Sequence, residues 1–207
     1  MRDCDENKIK LVLIRHAQTQ SNLERRYCGS RTDEDICDEG RKKACDKKEA
    51  KVFPDVDLLF SSPKKRCLST AGILYPGMIP EIIPEFDEID FGDFTEKNYE
   101  ELNNNPAYGR WIKSNGTLPF PNGESREDFI KRTMCGFEKM MELISERKEE
   151  KKCIRIGVIT HGGSIMAILS SLCGGDYFDY QVGNVCGYEC SISGKEGTGY
   201  LKITDRF

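Results

Sequence analysis

The chain has 207 residues, with 38% hydrophobic and 32% charged residues and a formal net charge of −4. That length and mix fit one ordinary globular domain, which buries roughly 70% of the surface of its unfolded chain and needs no staples. The acidic balance gives no electrostatic case for nucleic acid or an anionic membrane as partner, and no apolar run reaches the roughly 18 residues of a membrane span.

The opening stretch, "MRDCDENKIK", is polar and lacks the apolar centre of a signal peptide, so a cytoplasmic chain is expected. Leu11 to Ile14 reads as a buried strand that runs straight into Arg15-His16. Gly29 to Gly40 is polar and loop-like, and Arg41 to Lys51 reads as an exposed helix with solvated lysines. Val56 to Phe60 is a second short strand. In "SSPKKRCLSTAGIL", Ser62 is a plausible N-cap and Pro63 sits in the first turn of a helix. Glu81 to Ile83 is a candidate third strand.

Residues 92 to 123 read as irregular, an insertion or lid on the core, with Asn103-Asn104-Asn105-Pro106 and Pro119 to Gly123 as breakers. From Ser125, apolar positions recur at helical spacing through Phe129, Ile130, Met134, Phe137, Met140, Met141 and Ile144. Ser125 with Asp128 resembles a capping box, the methionine stripe reads as core, and "SERKEEKK" closes the helix in solvent. Ile154 to Thr160 is a strand ending in His161, and Gly163 to Leu172 a short apolar helix. Val185 to Ser193 and Tyr200 to Thr204 read as a final strand pair around Gly194 to Gly199.

Strands alternating with helices predict a three-layer α/β/α domain with a mainly parallel central sheet. In such sheets ligands bind beyond the carboxyl ends of the strands. The chain has only two histidines, His16 and His161, and both fall there. Arg15 adjoins one of them, and Arg66 lies early on a helix that follows a strand and can reach the same end of the sheet. Two arginines and two histidines converging make a pocket for a dianionic, tetrahedral group, and phosphate fits best. A neutral imidazole is a good nucleophile toward phosphorus when its tautomer is fixed and its pKa held down. The ten cysteines are scattered and contain no C-x-x-C. They are expected as reduced thiols acting as small buried hydrophobes.

"RHAQTQSN" resembles the signature of the histidine phosphatase superfamily, which includes the cofactor-dependent phosphoglycerate mutases. "YCGSRTDEDICDEG", "SSPKKRCLSTA", "EFDEIDFGDF", "PNGES" and "VITHGGSIMAIL" resemble later blocks of the same family in the same order, so the likeness covers nearly the whole chain. The resemblance implies a single phosphoglycerate mutase-like domain over residues 1–207, with a short lid insertion at about 92–123. It makes His16 the phosphorylated nucleophile. It gives Arg15, Arg66 and His161 the phosphoryl group to bind, places Asn22 in the same pocket, and makes Glu88 the proton donor. Asp87 and Asp90 are competing carboxylates, but Glu88 has the family's spacing before Phe91-Gly92. Ala17 stands where glycine is commoner, and Thr95-Glu96-Lys97 departs from the usual Glu-Gly.

The "W…P…NGES" pattern from Trp111 through Ser125 resembles the branch of alpha-ribazole phosphatases and related small-molecule phosphatases. A phosphomonoester hydrolase acting on a small phosphorylated metabolite is therefore the first expectation, with no metal and no cofactor. A phosphoglycerate mutase-like phosphotransferase is the second, and a phosphoprotein-binding module without turnover a third. A zinc protein using the histidines and some cysteines is a fourth; Cys186 and Cys190 form one loose ligand pair with no nearby histidine. The oligomeric state is not legible.

Overall fold

Strand β1 (Lys8–Arg15) has no solvated face at its centre: Leu11, Val12, Leu13 and Ile14 are all fully buried. A strand apolar on both sides belongs in the middle of a sheet covered by helices on two faces. In the computed structural model, which describes residues 8–147, 153–193 and 200–207, β1 is a central strand. After it come α1 (Gln20–Leu23), α2 (Asp38–Glu49), β2 (Leu58–Ser61), α3 (Lys65–Leu74) and β3 (Glu81–Ile82). Then follow α4 (Tyr99–Leu102), α5 (Pro106–Lys113), α6 (Arg126–Arg147), β4 (Cys153–Thr160), α7 (Gly162–Cys173), β5 (Gly187–Ser193) and β6 (Tyr200–Arg206).

The sheet order is β3-β2-β4-β1-β5-β6. The first four strands are mutually parallel, and β5 and β6 are added antiparallel. Alternate residues of β1 feed two cores. Leu11 and Leu13 pack with Met140 and Ile144 of α6 and Ile165 and Ile168 of α7. Val12 and Ile14 pack with Ala44 of α2 and Cys67 and Ala71 of α3. This is the expected three-layer arrangement, and the methionine stripe is core, with Met140 fully buried. A third cluster joins Ile89, Phe94, Leu102, Phe120 and Phe129 under Tyr108 and Trp111.

Register carries the two histidines to one place. In the parallel β1–β4 ladder Arg15 pairs with Thr160, so the next residues, His16 and His161, leave the sheet side by side. The His16 amide extends the ladder by donating to the Thr160 carbonyl at 2.9 Å. On the other side of β1, Gly187 pairs with Ile14; a Cβ there would lie 1.9 Å from the Leu13 carbonyl oxygen, so no larger residue fits that crossing.

Four expectations need correction. Ser62 is not the N-cap of α3: Lys64 holds that position without a side-chain bond, because the Ser62 hydroxyl is engaged by His161. Residues 92–123 are not irregular throughout. Asn98 caps α4 through a capping box, Asn103 ends that helix, and Asn105 with Pro106 opens α5, so the Asn-rich break falls between two short helices and its last two residues are a helix start. The cysteines are not generally buried. Cys67 and Cys190 are, but Cys45, Cys135 and Cys153 are exposed, and the described cysteines are all free thiols. Helix α2 also starts earlier than read, at Asp38, with Gly40 buried inside it. The charged close of α6 beyond Arg147 and the turn at 194–199 lie outside the described residues.

Candidate active site

His16 is nearly inaccessible, and its Nδ1 lies 2.7 Å from the Ala17 carbonyl oxygen. That carbonyl can only accept, so Nδ1 carries the hydrogen and Nε2 keeps its lone pair, with no partner among the described residues. Burial, then the charges of Arg66 and Arg15, hold the His16 pKa well below the ordinary imidazole value. His16 is therefore neutral, tautomerically fixed and nucleophilic at Nε2. The His161 ring stands edge-on to it, 5.2 Å between centroids. Arg66 Nε donates to His161 Nδ1 at 3.3 Å, which leaves the His161 hydrogen on Nε2, 2.7 Å from Ser62 Oγ. Burial, Arg66 and His16 push the His161 pKa down as well.

Arg66 is fully buried, and its Nη1 and Nη2 reach the carbonyls of Thr32 and Gly29, each at 3.3 Å. Arg15 donates from Nη1 to the Val182 carbonyl at 2.8 Å. Its Nε is buried and finds no acceptor among the described residues. An orphaned guanidinium donor beside a lone-pair nitrogen is a place for an anionic oxygen. Asn22 belongs to the same end of the sheet: its Oδ1 accepts from Thr19 N in a capping box and from Asn184 Nδ2 at 3.0 Å, and Asn184 Nδ2 also reaches the His16 carbonyl at 3.0 Å.

The three candidate carboxylates differ in what they are bound to. Asp90 is held by Arg31, with Nε–Oδ1 at 2.7 Å. Asp87 faces Lys64 Nζ at 3.3 Å and accepts from the Glu88 amide. Glu88 has no ion pair among the described residues; it accepts only from the Ile89 amide at 3.0 Å and the Gly163 amide at 3.5 Å. Burial raises its pKa despite those bonds and the nearby Arg66 and Arg15. Burial raises the Asp87 pKa too, but Asp87 is paired with Lys64, which leaves Glu88 as the carboxyl group that holds a proton with no ion pair to contest it.

Glu88 and Arg15 share the wall of a cavity of about 320 Å³, with Gly162, Gly163 and a set of aromatic and apolar side chains that includes Tyr27, Trp111, Phe120 and Tyr177. Among the described residues no group of three or more His, Cys, Asp or Glu side chains could hold a metal ion. The six residues read from the sequence are thus assembled at one end of the sheet, and Cys186 and Cys190 make no metal site with the histidines.

The histidine phosphatase superfamily (branch 1) matches the chain over residues 11–200. The chain belongs to this family. The uncharacterized phosphatase PhoE of Bacillus subtilis is 28% identical over 169 residues, 80% of this chain and 78% of that protein. Phosphoserine phosphatase 1 of Hydrogenobacter thermophilus is 28% identical over 172 residues, 81% of this chain and 78% of its own length. The crystal structure of the alpha-ribazole phosphatase of Shigella flexneri superposes with a TM-score of 0.74 over 94% of this chain and 95% of that one, at 23% identity, a likeness of fold.

Several residues that serve this histidine phosphatase site escaped the sequence reading. Ser62, Asn184 and Thr70 are short polar side chains with no pattern to betray them; Thr70 Oγ1 accepts from the Ala17 amide at 2.9 Å and donates to the Arg66 carbonyl at 2.6 Å. Arg132 sits within the periodic pattern of α6, yet its guanidinium holds the carbonyls of Glu85, Asp87 and Glu88 and the Glu124 carboxylate. Val185 adopts a φ of 52°, a left-handed conformation that is costly for a β-branched residue, while its amide donates to the Arg15 carbonyl at 3.1 Å.

Proposed function

We propose that the chain hydrolyses phosphomonoesters of small metabolites in two steps, through a phosphohistidine on His16 and without a metal ion. In the first step the His16 Nε2 lone pair forms a bond to phosphorus as the ester P–O bond breaks, and the Glu88 proton passes to the departing alkoxide. In the second, water attacks phosphorus, the P–N bond breaks, and the ionised Glu88 takes a proton from that water. Inorganic phosphate leaves, and His16 and Glu88 return to their starting states.

Arg15 Nε and the remaining N–H groups of the Arg66 guanidinium are assigned to the phosphoryl oxygens, where they take up negative charge as it spreads in the transition state; His161 is assigned to the same oxygens once substrate draws its Nε2–H away from Ser62 Oγ. Asn22 is assigned to the same oxygens through its amide nitrogen, since its Oδ1 is spent on Thr19 and Asn184. Residues 92–123 are proposed as the lid. A cavity whose wall is largely apolar, with six aromatic rings among its lining side chains, favours a hydrolase for larger apolar alcohols over a mutase for a small polar substrate. The cytoplasm is retained as the proposed location; the free thiols of the described cysteines fit a reducing compartment. The observation that carries the reading is the pair of neutral histidines 5.2 Å apart with His16 Nε2 uncommitted.

The test is rapid quenching during turnover of a panel of phosphorylated metabolites. Acid-labile, base-stable phosphate should accumulate on the wild type and vanish in His16→Ala. Label that survives that substitution would overturn the assignment.

A further inference from the structure

Arg126 opens helix α6 and lines the cavity that Glu88 and Arg15 share. The mechanism above does not use it. Its guanidinium lies 5.6 Å from the ring centroids of both Tyr177 and Phe178. Among the described residues no carboxylate pairs with it, although Arg31 and Arg132 each hold one. Stacking on aromatic faces fixes a guanidinium in orientation without consuming its N–H groups, so the planar fork of donors stays available. A cation in the first turn of a helix also works against the helix dipole, a cost that calls for a return elsewhere.

Among the described residues Arg15 is the one other cation that lines this cavity. Tyr27, Phe91, Trp111, Phe120 and Met166 are among its walls. A phosphomonoester that fills it with its phosphoryl group beside Arg15 and Glu88 offers a flat or apolar body to the rings and a further group to Arg126. A single guanidinium matches a planar monoanion, which it can take through two parallel N–H···O bonds; a second phosphate would bring a dianion to one cation.

We infer that Arg126 is a specificity residue, selecting phosphomonoesters of aromatic or similarly apolar alcohols that carry a carboxylate at the end remote from phosphorus. The inference rests on the proposed hydrolase reading. It adds a second anion contact, at the opposite end of the substrate from the phosphoryl pocket.

The test compares 4-carboxyphenyl phosphate with 4-carbamoylphenyl phosphate. The amide matches the carboxylate in shape and is the slightly better leaving group, so a preference for the carboxylate cannot come from leaving-group chemistry. In the wild type the ratio of kcat/KM, carboxylate over amide, should be about tenfold or more, the scale of one charge-assisted contact. Arg126→Gln should bring the ratio to near one, and Arg126→Lys should restore part of it. A wild-type ratio near one, or a preference that persists in Arg126→Gln, overturns the inference. Calorimetry on His16→Ala keeps it separable from the hydrolase reading. Tighter binding of the carboxylate, lost in His16→Ala/Arg126→Gln, supports Arg126 whether or not the wild type turns over. Equal affinities for the two ligands there refute it while leaving the phosphohistidine to its own test.

Discussion

Gly163→Ala isolates the placement of the general acid from its chemistry. A Cβ at position 163 would lie 2.4 Å from Glu88 Oε1 and 3.1 Å from two ring carbons of Phe129. Ordinary contact begins near 3.4 Å, so the carboxylate must retreat by about 1 Å, the gap between those distances. The Glu88 carboxylate ends a flexible side chain, whereas helix α7 and the Phe129 ring are packed, so the side chain is what yields. Alanine gains up to about 1 kcal/mol over glycine in a helix, which offsets the pressure on Phe129 and keeps the fold. Misplacing a catalytic group by about 1 Å costs on the order of 10²-fold, comparable to losing general-acid help altogether. Phosphorylation of His16 should therefore slow by about 10²-fold with an alkyl phosphate, whose alkoxide needs the proton. It should slow much less with para-nitrophenyl phosphate, whose leaving group does not. Glu88→Gln should show the same pattern, and Asp87→Asn and Asp90→Asn should not. Transient-state phosphorylation with both substrates and a melting curve are the assays. Full alkyl phosphate turnover in Gly163→Ala, or equal slowing with both substrates in a folded variant, would refute the reasoning.

Two further outcomes are expected. Arg132→Ala should lower stability by about 1–3 kcal/mol, because three carbonyls and a carboxylate lose a common donor, and should lower kcat with it, because the segment carrying Glu88 is freed; denaturant unfolding and steady-state rates check both. The kcat/KM profile should report a neutral His16 and a protonated Glu88. Since the His16 pKa is lowered, activity persists as pH falls below about 6.5 and is lost only under His16's own depressed value. Since the Glu88 pKa is raised, activity is kept above the ordinary carboxylate value of about 4.3 and falls as pH rises through the raised one. The profile is read after correction for the substrate's own titration. An acid limb at the ordinary imidazole value, or an alkaline limb unchanged in Glu88→Gln, would contradict it.

What the sequence revealed and what it hid divide along a physical line. The sheet was legible because β1 and β4 each carry an uninterrupted apolar stretch, residues 11–14 and 156–159, and the site because each strand releases one of the chain's only two histidines. Parallel pairing then has no freedom to separate them: once Arg15 faces Thr160, His16 must lie beside His161. The misreadings fall where one residue type serves two purposes. "SSP" fits a helix start on local rules, yet Ser62 Oγ serves His161, and the helix begins without a side-chain cap. "NNNP" fits a break, yet Asn105-Pro106 is the entry to α5. Arg132 and Val185 carried no signal, since holding three carbonyls together or bearing a positive φ is a property of the folded backbone.

Those hidden residues share one task. Nucleophile, arginines and acid are all charged or chargeable groups brought into a poorly solvated space, where each alone would be costly. Ala17's carbonyl and Thr70 fix His16 and the turn it occupies, the Thr32 and Gly29 carbonyls anchor Arg66, Arg132 ties down the segment behind Glu88, and Asn184 joins the His16 carbonyl to Asn22. Burial holds the two histidines toward their neutral forms and Glu88 toward its protonated form, and among the described residues neither the Arg15 nor the Arg66 guanidinium has a carboxylate ion pair. A dianionic phosphoryl group supplies what they lack, so the same burial that sets the nucleophile and the acid also selects the substrate's reacting end.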